Sequence, residues 1–140
     1  MIHDADRDSL HFETYGALAA GERMTAVTRG LPASFLTEAL AALQISRADL
    51  LTGLGIASST AARAVSERRP FSVADSERLG MLARLWCDVM MVYQDKAGAR
   101  AWITKPIPSA GGIPLELLRT HEGFESAQRS ILQLAYGVYA

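Results

Sequence analysis

Residues 46–69, SRADLLTGLGIASSTAARAVSERR, decide the fold. Ser46 stands ahead of Leu50, Leu51 and Leu54, and a serine in that place caps a helix by accepting a bond from an early backbone N–H. Gly53 and Gly55 close this helix, and Ile56 and Ala57 make a tight connection. Ser58 or Ser59 then caps a second short helix carrying Ala62, Val65 and Ser66. Arg68-Arg69-Pro70 ends it, because a residue before proline is pushed out of the helical region. Two short helices, 46–54 and 58–67, joined by a glycine-bearing turn make a helix-turn-helix pattern. A plain helical hairpin with a polar outer face has the same spacing.

In a helix-turn-helix the N-terminal residues of the second helix meet base edges in the major groove. Here those residues are Ser58, Ser59, Thr60 and Arg63, hydroxyls and a guanidinium suited to bases or phosphates. Arg68 and Arg69 follow at the helix end, placed to hold backbone phosphates. Charge distribution agrees in sign. The whole chain has 14 basic and 15 acidic residues, a net charge of −1, which by itself argues against a strongly electrostatic nucleic-acid binder. Residues 1–22 hold five acids (Asp4, Asp6, Asp8, Glu13, Glu22) against Arg7, giving −4. Residues 47–84 hold six arginines against four acids, giving +2.

Outward from the central pair, the pattern stays helical. Pro32 and Ser34 start a helix carrying Phe35, Leu36, Ala39, Leu40 and Leu43. Ser72 caps a long helix reaching about Gln94. One of its stripes is Leu79, Leu82, Trp86, Val89, Met90 and Tyr93, and a second is Met81, Leu85 and Val92. A helix apolar on most sides is buried or lies in an interface, so this one is the expected spine. After Asp95 comes a short helix, 96–103, and a turn, Lys105-Pro-Ile-Pro108. Gly111-Gly112-Ile113-Pro114 opens another helix, with Pro114 at its first position and Glu116 near the positive end of its dipole. The last helix starts near Glu122. Its core stripe is Phe124, Ala127, Ile131, Leu134 and Val138, and a second stripe is Leu132, Tyr136 and Tyr139. No stretch alternates long enough for a strand. The expected fold class is all-α, with an acidic lead over 1–30 that is partly disordered or helical, a helix-turn-helix domain with its spine over 31–94, and a small helical domain over 95–140.

The chain's 140 residues suit one domain or two small subdomains sharing a core. A chain of this size buries roughly 70% of its unfolded surface, which needs neither metal nor disulfide. A lone cysteine, Cys87, excludes a disulfide framework, and no Cys/His spacing suits a metal. No apolar run approaches the roughly 20 residues that span a bilayer. The start, MIHDADRD, lacks the apolar stretch of a signal peptide, so a cytoplasmic location is expected. Catalysis finds no constellation. His3, His11 and His121 are far apart, and Cys87 lies among Trp86, Val89 and Met90 as a buried, inert thiol. Gly111-Gly112 lacks the lysine and strand of a phosphate loop, and Gly53-x-Gly55 lies between helices. No catalytic residue, metal or cofactor is expected. Trp86 and Trp102 read most simply as core. The ending, Tyr136-Gly-Val-Tyr-Ala140, is apolar and aromatic where chain ends are usually polar. It is either docked on its own core or reserved for a partner.

Residues 99–140, ARAWITKPIPSAGGIPLELLRTHEGFESAQRSILQLAYGVYA, resemble the toxin-binding domain of Xre/MbcA/ParS-type antitoxins. The elements that match are Trp102, Pro106, Gly111, Gly112, Pro114, Leu115, Leu117, Leu118, Thr120, Gly123, Tyr136, Gly137 and Tyr139. Residues 50–85 are similar to the Xre-like helix-turn-helix that precedes this domain, and Ser76-x-Arg78-Leu79 fits the start of its long helix. The likeness covers roughly residues 30 to 140. The chain departs from the family at Arg119, where members often carry an acid, and in having the single Arg63 within the second helix.

The resemblance implies an Xre-like helix-turn-helix core joined by a long helix to a C-terminal toxin-binding domain. It implies an antitoxin, not an enzyme, paired with a RES-domain toxin that looks like an ADP-ribosyltransferase and uses NAD. Such an antitoxin blocks the toxin's active site with its C-terminal region, and the complex often represses its own operon. Carried onto this chain, the toxin-binding residues are Trp102, Pro114, Leu132, Tyr136, Val138, Tyr139 and Ala140. Tyr139 and Ala140, with the terminal carboxylate, would enter the arginine-lined path for NAD phosphates. The DNA-binding residues are Ser58, Ser59, Thr60, Arg63, Arg68 and Arg69. The two-sided apolar spine suggests a homodimer, as a palindromic operator requires. The alternative is a stand-alone helix-turn-helix regulator whose C-terminal domain dimerises or binds a small ligand.

Overall fold

The computed structural model describes residues 10–137. They form eight α-helices: α1 Ala20–Arg29, α2 Ala33–Leu43, α3 Arg47–Leu54, α4 Ser58–Ser66, α5 Val73–Tyr93, α6 Lys96–Thr104, α7 Pro114–Leu117 and α8 His121–Tyr136. Short 3-10 turns lie at Tyr15–Ala17 and Pro108–Ala110. No strand occurs among the described residues; Ile107 and Gly112 make one isolated bridge.

The helix ends follow local chemistry. The Ser46 hydroxyl accepts the Asp49 N–H at 3.0 Å and starts α3. Gly55 ends it in the left-handed region, φ 72°. There the Gly55 N–H donates to the Thr52 carbonyl at 3.2 Å and the Ile56 N–H to the Leu51 carbonyl at 2.9 Å. That pair of bonds is the Schellman closure, and it turns Ile56 into the core. α4 begins at Ser58, and its cap falls ahead of the expected Ser58 or Ser59. Its cap is Ala57, which supplies no side-chain bond, and Ser58 and Ser59 are its first two helical residues. Ser72 caps α5 through the Asp75 N–H at 3.1 Å, as the sequence predicts.

α5 is the spine. The 3-10 turn at 15–17 and helices α1, α2, α6 and α8 all pack on it. Leu79, Leu82, Leu85, Trp86 and Val89 are buried, whereas Met91 and Tyr93 near its end are exposed. Ser76 explains why the start of this helix carries a serine in its buried face. Its hydroxyl accepts the Leu31 N–H at 2.8 Å and fastens the α1–α2 loop to α5. The lead is anchored from Leu10 onward. Phe12 is fully buried, its ring 5.6 Å from that of Phe35 and 6.2 Å from that of Trp86. Tyr15 meets Phe35 edge-on at 5.4 Å. One contiguous core runs from Phe12 to Ile131, so the C-terminal helices share the core of the helix-turn-helix.

The last helix differs from the expectation in two respects, and the first is its end, where Gly137 in the left-handed region, φ 61°, caps it after Tyr136. Thr120 caps it, accepting the Gly123 N–H at 3.0 Å, and Phe124, Ala127 and Ile131 are buried. Leu134, read from periodicity as core, is 44% exposed. The reason is that α8 overhangs. Residues 133–137 are all exposed, so none of the described residues covers the face that Leu134 continues. Val138, the last residue of that expected stripe, lies outside the described residues. Among those residues no helix is long and apolar enough to cross a membrane.

Candidate DNA-reading and partner-binding surfaces

α4 is fixed by its inner face and offers its outer one. Ala61 and Ala64 are buried, small enough to let α4 sit close against the body. Ser58, Ser59, Thr60 and Arg63 on the other face are exposed, as are Arg68 and Arg69 beyond the helix end. Arg68 takes φ 53°, a left-handed residue that reverses the chain ahead of Pro70. Thr60, Arg63 and Arg69 line one shallow cleft with Pro70 and Ser72. All six residues singled out in the sequence thus belong to one exposed helix and its exit. Glu67 tempers their charge, standing 3.6 Å from Arg63 and 3.8 Å from Arg69. Pairs this exposed contribute little to stability and leave both guanidinium groups available for a phosphate.

The C-terminal residues divide into an interior and an exterior group. Trp102 and Pro114 are buried. Pro114 opens α7 as its first helical residue, and Trp102 packs from α6 into the core. In the chain alone both therefore serve packing. Leu132 is half-buried and Tyr136 is 76% exposed. Leu132 and Tyr136 line a groove on α8 with Glu125, Gln128, Arg129 and Gln133. Val138, Tyr139 and Ala140 lie outside the described residues. Gln128 holds the helix in place, its amide donating to Asp88 of α5 at 3.1 Å. Arg84 of α5 stacks on the Phe124 ring at 4.8 Å and joins the same two helices. Periodicity assigns Leu134 to the core and not to this surface, because a periodic stripe does not reveal where its covering partner stops.

Cys87 on α5 is half-buried. Burial pushes its thiol up, and the neighbouring Asp88 carboxylate adds to the effect. Since the thiolate is the nucleophile, alkylation by iodoacetamide at neutral pH is expected to be slower than for free cysteine. Unfolding in urea should remove the difference. Equal rates in the folded chain would contradict the stated environment. No group of three or more His, Cys, Asp or Glu side chains among the described residues is placed to hold a metal.

Comparison with known proteins bears on both surfaces. Residues 22–84, from α1 into α5, match the antitoxin Xre-like helix-turn-helix domain. The chain is 26% identical over 129 residues to the Prs ADP-ribosylating antitoxin of Sphingobium, a match covering 85% of this chain and 81% of that protein. It is 27% identical over 74 residues to Antitoxin Xre of Pseudomonas putida, covering 52% of this chain and 46% of that protein. The all-helical chain thus carries a helix-turn-helix of the Xre-like antitoxin kind over residues 22–84, and its similarity to an antitoxin extends well beyond that domain.

Proposed function

We propose that this chain is an antitoxin that neutralises a RES-domain toxin, an NAD-using protein of the ADP-ribosyltransferase kind, by placing the end of α8 and residues 138–140 in the toxin's active site. The observation that carries the reading is the overhang of α8. Beyond Ile131 the helix continues with Leu134 and Tyr136 exposed. A helix that leaves apolar and aromatic side chains in water marks an interaction surface. Tyrosine suits it, with an apolar ring and a polar tip. In this reading the chain is cytoplasmic, has no cofactor and is not itself an enzyme. Met91 and Tyr93, exposed at the end of the spine, support a homodimer.

The same reading has the helix-turn-helix repress the chain's own operon. Ser58, Ser59, Thr60 and Arg63 face the major groove, and Arg68 and Arg69 hold phosphates. Replacing Arg63, Arg68 and Arg69 together with alanine is expected to abolish a band shift on the promoter fragment. Toxin binding should be unchanged, because α4 and α8 offer separate surfaces. Each lost phosphate contact lowers the salt slope of binding by about one. A triple variant that shifts the fragment as well as the native chain would sink this part of the reading.

The test of the whole is co-expression with the protein encoded next to it. NAD consumption and ADP-ribosylation are then assayed with and without the antitoxin. A stable complex with suppressed activity supports the toxin-blocking role. No association, together with a clean promoter shift by the chain alone, favours a stand-alone regulator instead.

A further inference from the structure

Arg119 lies in the short loop between α7 and α8, far in sequence from the helix-turn-helix, yet its guanidinium reaches the turn. Its Nε donates to the Gly53 carbonyl at 3.0 Å and its Nη2 to the Thr52 carbonyl at 2.7 Å. From α5, Arg78 donates to the Gly55 carbonyl at 2.7 Å. These carbonyls belong to the last turn of α3 and its left-handed cap. There a helix runs out of its own donors and its dipole is negative, so guanidinium groups are the apt partners. The apolar side of the contact comes from the same C-terminal segment. Leu115 of α7 is seated so closely over Gly53 that a Cβ there would come within 2.8 Å of it. The Arg119 stem runs beside Gly55, 3.6 Å from where a Cβ would stand. α4 begins three residues after Gly55.

We infer that Arg119 is a positioning residue for the DNA-reading helix. The C-terminal segment supplies, through one forked guanidinium, the contact that sets α4 against α3. The inference rests on the operator-binding reading above. Without the fork the turn keeps its Schellman bonds and Arg78, but a smaller fraction of chains holds α4 in the reading geometry. Apparent affinity falls by that fraction. Lysine at 119 reaches one carbonyl and not two in a fixed fork, so it restores part of the loss.

The experiment compares the full-length chain with Arg119→Ala and Arg119→Lys in two ways. The first is binding to the promoter fragment and to an unrelated duplex over a range of salt. The second is amide hydrogen exchange at Gly55 and Ile56, with Leu82 and Val89 of α5 as reference. Arg119→Ala is expected to weaken promoter binding roughly tenfold and to speed exchange at Gly55 and Ile56 by a similar factor. Binding to the unrelated duplex, the salt slope and exchange at Leu82 and Val89 should not change. Arg119→Lys should fall between. A salt slope lowered by about one would make Arg119 a phosphate contact and overturn the inference. Equal acceleration at Leu82 and Val89 would make it a general stability residue and also overturn it. Should the native chain shift no promoter fragment, operator binding fails as a reading. Exchange at Gly55 and Ile56 then decides alone whether Arg119 holds the turn.

Discussion

Gly123→Ala is expected to destabilise the chain by about 2–3 kcal/mol, lowering the midpoint of thermal unfolding by roughly 5–10 °C. Propensity alone says the opposite, since alanine in a helix is favoured over glycine by up to about 1 kcal/mol. Packing decides the sign. Gly123 sits in the first turn of α8, and a Cβ there would overlap the Leu117 carbonyl oxygen and stand 2.8 Å from its carbonyl carbon. The obstacle is backbone at the end of α7, which cannot swing aside as a side chain does. The Gly123 N–H is also bonded to the Thr120 hydroxyl, so moving α8 away would break its cap. Gly21, in the first turn of α1, has nothing within 4 Å of a Cβ. Gly21→Ala is therefore the control, expected to be neutral or slightly stabilising. Urea or thermal unfolding followed by circular dichroism measures both. A Gly123→Ala variant as stable as the native chain would show that α7 and α8 do not meet in this way.

The same contact shows which features were legible. Thr120 and Gly123 are legible only as elements of the family pattern, and their reasons, a cap and space, come from the structure. Ser46, Gly55, Ser72 and Pro114 each answer a local demand. Each is read within a few residues of itself, and each holds. Phe12 and Tyr15 were not legible. They are isolated aromatics in an acidic stretch without period, and only Phe35 and Trp86, brought by α2 and α5, make them core. Trp102 reads as core from the residues alone and is buried, whereas the family pattern offers it, with Pro114, as toxin-binding. A motif identifies such residues as required without saying whether a partner or the chain's own interior requires them. Arg119 is the extreme case. Its partners are carbonyls more than sixty residues away, and a backbone carbonyl leaves no mark in a sequence. The surface of α4 was legible because its residues need only face outward. Its cap was not, because after the Schellman closure at Gly55 and Ile56 that place falls to Ala57, which has no capping side chain.

Removing residues 136–140 is expected to abolish toxin neutralisation while leaving the fold intact, under the reading that α8 carries the toxin-blocking element. The fold survives because the last buried side chain of α8 is Ile131, and Tyr136 and Gly137 are exposed. Trimming an exposed helix end costs little, typically within about 0.5 kcal/mol. Binding is different. An exposed tyrosine seated in a partner's pocket commonly contributes 2 kcal/mol or more at the centre of an interface. Its loss with the adjoining apolar residues is expected to weaken the complex by roughly a hundredfold or more. A finer variant separates helix from tail. Leu132→Ala with Tyr136→Ala keeps residues 138–140 and removes only the outer stripe of α8. If the stripe is the toxin-facing surface, the double variant loses most of the affinity that the deletion loses. If the tail acts alone as a plug, the double variant binds nearly as well as the native chain and only the deletion fails. Calorimetry against the co-expressed toxin measures all three chains, and unfolding curves check that each is folded. A truncated chain that still protects cells from the toxin would remove the end of α8 from the mechanism. The groove beside it, with Glu125, Gln128 and Arg129, would then be the surface to mutate next.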